Sequence, residues 1–537
     1  MKRSTFSPRL ALLAAPLLSL LVLLAASPSA NAAARTASVT GAWNVTGTWG
    51  GLSVPGSADA VTVNAGITVT VPSGYAAQCT TINFTTSSGA ASIVLADNTA
   101  SLTASGAVTI QRNGNLANAI NAGAGAFSAL SVALSGTTGG TRLAQILIST
   151  GTVTVSGNIT SQGVASQIVF SDAGTLNVGG TFLSGTAGTL TPATGTVNFN
   201  LAGAQTVGAY TYNNLTLSGS GVKTTTGVTV NGKLSRQGTA TVSVVPIYGA
   251  TSSLEYKGSA AQTTGVELAS PMVHPVVIDN ALGVTRSAAG ILNSNLTLVS
   301  GAFTITSGLT LGNGVTVTRA GGSLAAAPTF GATVNVAYSG ATGVTAGNEL
   351  PATITVLSNL TVSYSSAAAL TLNAARTVNG TLTISANNTL ADGGYTLTAN
   401  GTVANAGTHS GAGKVLLAGT SAQALSGIGS YGNLELTNAA GATLGAATTV
   451  NGTLTLTIGA LANGANLTLA DGITISRAVG SLGSAPTFGA SVNVSYTGAS
   501  GVTAGNELPA SATVLNNLTV NNSGGVTPPE LFTVRLF

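Results

Sequence analysis

The chain has 537 residues, more than one ordinary domain needs, and only 5% of them are charged. Apolar residues make up 44%, too many for a disordered chain, and 71 glycines with abundant Thr, Val, Ser and Asn suit pleated strands joined by turns. Setting aside Lys2, Arg3 and Arg9 of an N-terminal leader leaves 13 basic residues against 12 acidic ones, so no basic stripe points to nucleic acid.

The leader is the first element. A basic start, "MKRSTFSPR", precedes the apolar run "LALLAAPLLSLLVLLAA" and an A-x-A site at Ala30 and Ala32. This pattern predicts a secretory signal over residues 1–32, cleaved after Ala32, rather than a retained anchor. No later run is long and apolar enough to span a bilayer, because Thr, Ser and Asn interrupt each one. The mature chain is therefore expected outside the cell, secreted or at its surface. Residues 33–90 follow as an N-terminal cap with the first coils. They hold the only tryptophans, Trp43 and Trp49. Covering an open strand edge is what a first repeat must do, so a cap is preferred over a glycan-stacking platform. Cys79 is the only cysteine, which excludes a disulfide scaffold and suits a buried apolar site.

From residue 91 to 524 the chain repeats. Runs such as "TVTVSGNI", "TLNVGGTF" and "TVNGTLTI" alternate apolar and polar residues and recur about every 20 positions, with Gly, Asn and Asp between them. One such unit cannot bury its own apolar face, whereas stacked units can. The prediction is an all-β fold, a right-handed parallel β-helix of roughly 20–25 coils and on the order of 100 Å in length. Tandem β-sandwich modules are the competing architecture.

Longer repeats are laid over that beat. The stretches 309–362 and 467–520 match without a gap at about 39 of 54 positions, and both contain "GVTAGNELP". Each copy keeps one arginine and one acid at the same interval, Arg319 with Glu349 and Arg477 with Glu507. The spacing predicts an ion pair or a capped turn between coils. Read as surface pairs these are weak, so Gln substitutions should alter stability only slightly. A worn third copy starts at Pro246 and places Glu267 near the position of Glu349. A second unit recurs with Gln205 and Gln423, followed by an Asn-Leu pair. That pair occurs at Asn214, Asn295, Asn359, Asn433 and Asn517, candidates for a ladder of stacked amides. Residues 525–537, "GVTPPELFTVRLF", break the pattern. The double proline cannot continue a central strand, so this tail reads as a short cap or the mark of a truncated chain.

The strings "TVNGTLTL", "AQTVGAYTYNNLTL" and "YTGASGVTAGNELPASATVLNNLTVNNSGGVT" resemble bacterial β-strand-repeat surface proteins, a loose group that includes secreted adhesin-like and haemagglutinin-like β-helices. The opening "W…TWGG" is similar to the N-terminal part of such proteins and, more faintly, to G8-type domains. The resemblance covers nearly all the mature chain. It implies architecture and secretion and says little about a ligand. Members typically end in an anchor or translocator, and this chain departs from that pattern.

Signs of chemistry are few. His274 and His409 have no metal-ligand spacing to Cys, Asp or Glu, and neither a phosphate loop nor a calcium-binding nonapeptide is present. No cofactor or metal is expected. The twelve acids are scattered singly. Glu255, Glu267 and Asp279 are the nearest to one another at coil spacing, and convergence of these three would indicate a glycan-cleaving site. Thr-x-Thr strings are irregularly spaced along the chain, which argues against a flat ice-binding face. The expected function is thus a non-enzymatic structural or adhesive solenoid, with extracellular glycans or surface proteins as partners, self-association possible, and no nucleic acid. A polysaccharide lyase or glycoside hydrolase is the first alternative, and an ice-binding or self-assembling matrix protein the second.

Overall fold

The computed structural model describes residues 32–87, 89–111, 116–135 and 143–528. Nearly all of the predicted leader and the end of the tail, residues 529–537, lie outside these residues. What is described is a β-solenoid of about 22 coils with parallel strands throughout, in place of the antiparallel hairpins a sandwich requires. Among the described residues, helix is limited to a single 3-10 turn, Thr46–Trp49.

The alternation seen in the sequence sets the local structure. In Thr152–Val155 and Thr196–Phe199 the apolar residues point inward and are buried, and the polar ones face outward. Coils then stack in register. Val153 lies beside Leu176, which lies beside Val197, which lies beside Leu215, so one apolar column runs along the rod. Coil length varies. Successive partners are 26 residues apart at Ala34–Ala60 and 18 apart at Val197–Leu215.

In its second half each coil has three faces. Ala369–Thr371, Arg376–Val378 and Leu382–Ile384 belong in turn to an eight-stranded sheet, a second eight-stranded sheet and the 25-stranded sheet that runs most of the rod. We call the 25-stranded sheet the first face, and the sheets of Ala369–Thr371 and Arg376–Val378 the second and third. The duplicated stretches do not share a face. Val315–Arg319 and Val334–Tyr338 lie on the first face, and their copies Ile473–Arg477 and Val492–Gly498 lie on the third. The offset of 158 residues between copies is therefore not a whole number of coils. The worn copy Ser253–Lys257 shares the first face with Val334–Tyr338.

Structural equivalence extends upstream of residue 309. Asn280 and Asn438, also 158 apart, are both buried and both donate to a buried glutamine, Gln262 and Gln423. One coil later, Gly301 (φ 69°) and Gly459 (φ 92°) pass over them, and a Cβ there would lie 1.8 and 1.9 Å from the Asn280 and Asn438 carbonyl oxygens. Only glycine fits a left-handed backbone pressed that closely. At the far end, Val526–Thr527 still pairs in parallel with Val502–Thr503, so coil pairing continues three residues into the stretch read as a tail.

Candidate functional site

Two surfaces bear on function, the interior polar clusters and the outward face of the long sheet. Inside, the repeated acid has the same surroundings three times. Glu349 Oε1 accepts hydrogen bonds from Arg319 Nη1, the Tyr338 hydroxyl and the Gly347 amide, each at 2.8 Å. Glu507 accepts from Arg477, Tyr496 (2.9 Å) and Gly505 (2.9 Å). Glu267 accepts from Arg236, Tyr256 (2.8 Å) and Gly265 (2.8 Å). Register explains the constancy. Each arginine lies beside its tyrosine on the next coil, and the acid follows 11 residues later. Burial raises the Tyr338 and Tyr256 hydroxyl pKa well above the ordinary value, and the adjacent carboxylates add to the effect. All three carboxylates are fully buried. This corrects the expectation of weak surface pairs, because a buried ion pair loses far more when one partner is removed.

Trp43 and Trp49 are also interior. Both are buried, their rings meet edge to face at 5.1 Å, and Trp49 Nε1 donates to the Trp43 carbonyl at 2.7 Å. Neither ring presents a face to a sugar. Cys79 is buried, and burial, with the Asp59 charge adding, pushes its thiol up to about 12. Of the histidines, His274 is half-buried, 3.1 Å from the Ser252 hydroxyl. His409 is fully buried with its Nε2 3.1 Å from Asp392.

The five Asn-Leu asparagines occupy two faces several coils apart, Asn214, Asn295 and Asn359 with the first and Asn433 and Asn517 with the third. They therefore do not stack on one another as the ladder reading required. Instead, most bridge adjacent coils. Asn433 donates to the Gly413 carbonyl at 2.6 Å and accepts from the Thr453 amide at 2.8 Å. Asn214 joins Thr194 to Lys233, Asn359 joins Asn335 to Thr381, Asn295 accepts from the Thr316 amide, and Asn517 donates to Asn493.

The outward face is regular. Ser101/Thr103, Ala126/Ser128, Thr152/Thr154, Thr175/Asn177, Thr196/Asn198 and Asn214/Thr216 lie in register over six consecutive coils. Their side chains bond along the rod, Ser128 to Thr103 at 3.1 Å, Asn177 to Thr154 at 3.2 Å and Asn198 to Asn177 at 3.0 Å. Strings that look irregular in sequence are thus aligned in space, because variable turns absorb the differences in spacing. Two shallow grooves lie on this face. One of about 460 Å³ is lined by Thr316, Asn335, Asn359, Thr361 and Thr383. The other, of about 330 Å³, holds Lys233, Ser235, Gln237, Glu255 and Lys257.

The three acids weighed as a catalytic cluster do not converge. Glu267 is inside, bound to Arg236, while Glu255 and Asp279 are on the outer face, each paired with its own lysine at 3.1 Å. Among the described residues no three His, Cys, Asp or Glu side chains are grouped to hold a metal, and no helix is long and apolar enough to cross a membrane, which says nothing of a β-barrel.

No family model, curated protein or solved structure matches the chain. The functional reading therefore rests on geometry. Three features escaped the sequence reading: the tyrosine of each buried cluster, the His409–Asp392 contact, and the lysine–carboxylate pairs of the outer face. The tyrosine was legible, since it precedes each acid by 11 residues in all three copies. The lysine pairs were not, because coil length must be known to bring Lys414 beside Glu435.

Proposed function

We propose that this protein is a secreted or cell-surface β-solenoid with a structural and adhesive role, binding extracellular glycans or surface proteins without catalysis. The observation that carries this reading is the outward polar face, where hydroxyl and amide side chains repeat in register coil after coil. Such a surface offers many weak, equivalent contacts, which add through multivalency rather than through one deep pocket. Support for a passive role comes from the outer carboxylates Glu255, Asp279 and Glu435, each held by a lysine and a hydroxyl rather than left free as a general acid or base. The test is binding of residues 33–537 to a glycan array and to cells. Retention on a subset of glycans without their breakdown is the expected result, and release of shortened sugars would overturn it in favour of an enzyme.

A second reading, an ice-binding or water-ordering surface, draws on the six-coil alignment from Ser101 to Thr216. Thermal hysteresis in a freezing-point measurement tests it. A null result removes that reading and leaves the first intact.

A further inference from the structure

Few charges reach the surface, and those on lysine share one construction. The described chain has four lysines, and one of them, Lys223, is buried. Each of the other three stands on a recessed acid that also accepts from a hydroxyl. Lys233 pairs with Glu255 at 3.1 Å, and Ser235 donates to the same carboxylate at 2.7 Å. Lys257 pairs with Asp279 at 3.1 Å, and Ser300 donates to it at 2.9 Å. Lys414 pairs with Glu435, and Thr457 donates to it at 2.8 Å. Exposure is uneven within each pair. The lysine side chains are 46, 52 and 40% exposed and their acids only 11, 24 and 13%. A ligand approaching the face therefore meets ammonium groups first.

Two of these lysines, Lys233 and Lys257, border one groove of about 330 Å³ with Glu255 in its lining. An ammonium carries three donors, and the acid beneath engages one, leaving the others directed to solvent. The acid also limits the rotamers of an otherwise flexible stem, which lowers the ordering cost on binding. Around the two ammonium groups, Gln237, Asn214 and Thr216 supply the donors and acceptors that a polyhydroxylated ring requires, while Ser235 is buried with its hydroxyl given to Glu255.

We propose that this groove is a subsite for a carboxylated glycan, with the sugar carboxylate taken by Lys233 and Lys257 and the ring hydroxyls by Gln237, Asn214 and Thr216. The proposal rests on the adhesive reading above and gives it a place and a ligand class. The experiment is a calorimetric titration of residues 33–537 with oligogalacturonate as the carboxylated probe, sulfated dextran as a differently charged one and plain dextran as the neutral one. Oligogalacturonate is expected to bind, more weakly as salt rises, and plain dextran to bind at least about tenfold less tightly, a difference of about 1.4 kcal/mol. Lys233→Ala with Lys257→Ala should weaken oligogalacturonate about tenfold or more. Lys233→Arg with Lys257→Arg should retain it, with the melting curve of both variants unchanged. Unchanged affinity in the alanine variant overturns the assignment, as does tighter binding of sulfated dextran than of oligogalacturonate. If cells still bind the alanine variant while oligogalacturonate does not, the adhesive reading stands and the groove is confirmed as its carboxylate subsite. If cells bind neither form, the adhesive reading fails separately.

Discussion

Glu349 shows what a single residue does inside this rod. Its carboxylate is fully buried and takes donors from an arginine, a tyrosine and a backbone amide. Arg319→Met leaves that charge without its counter-ion and is expected to cost about 3–5 kcal/mol of local stability. Glu349→Gln removes charge assistance but keeps the shape, and should cost about 1.5–3 kcal/mol. Hydrogen exchange of the amides in Val334–Tyr338 reads both. A loss below about 0.5 kcal/mol in Arg319→Met would mean the pair contributes nothing. The arginine and acid were legible in the sequence because duplication kept their interval. Their burial was not, since a charged residue in a chain with 5% charge reads as a surface residue until the coils are laid in register.

At the level of the element, strands were readable and their neighbours were not. Alternation such as "TVTV" assigns inside and outside directly, but coil length ranges from 18 residues at Val197–Leu215 to 28 at Gly41–Val69, so the partner of a given strand cannot be counted off. Buried glutamines hold such coils together. Gln423 donates to the Ala399 and Gly401 carbonyls at 2.9 and 2.7 Å and accepts from Gly419 and Asn438. Gln423→Leu strands those carbonyls and should cost about 1–3 kcal/mol, measured as earlier melting of the second half of the rod. Beside this coil, burial lowers the His409 pKa from its ordinary value, against the opposing pull of Asp392. A base with a depressed native pKa takes up its proton first in the unfolded chain. Native stability should therefore fall as pH drops below about 6.5 and level off below the native pKa. The melting temperature of the wild type should decline between pH 7.5 and 5 more than that of His409→Leu. Parallel curves for the two would show that this histidine does not titrate across folding.

Over the whole molecule, the sequence conveyed the architecture and the approximate number of coils, because stacking one kind of unit about 20 residues long allows few other folds. It could not convey direction around the axis. Glu267 and Glu349 follow first-face strands, while Glu507 follows a third-face strand, since the copies are separated by a fractional number of coils. The first and third faces must therefore accept the same sequence. A chain lacking residues 363–520, which joins Val362 to Asn521, is expected to fold with an unchanged β-type circular dichroism spectrum and a cooperative melt. Aggregation of that variant would show that faces are not interchangeable.

That fractional offset bears on how such rods diverge. If any strand-and-turn can follow any other, growth proceeds in thirds of a coil, and every unequal duplication turns whatever lies beyond it about the axis. Two descendants with nearly identical text would then carry the same loop at different compass points, and a partner reading one side of the rod would lose or gain a contact without a single substitution in it.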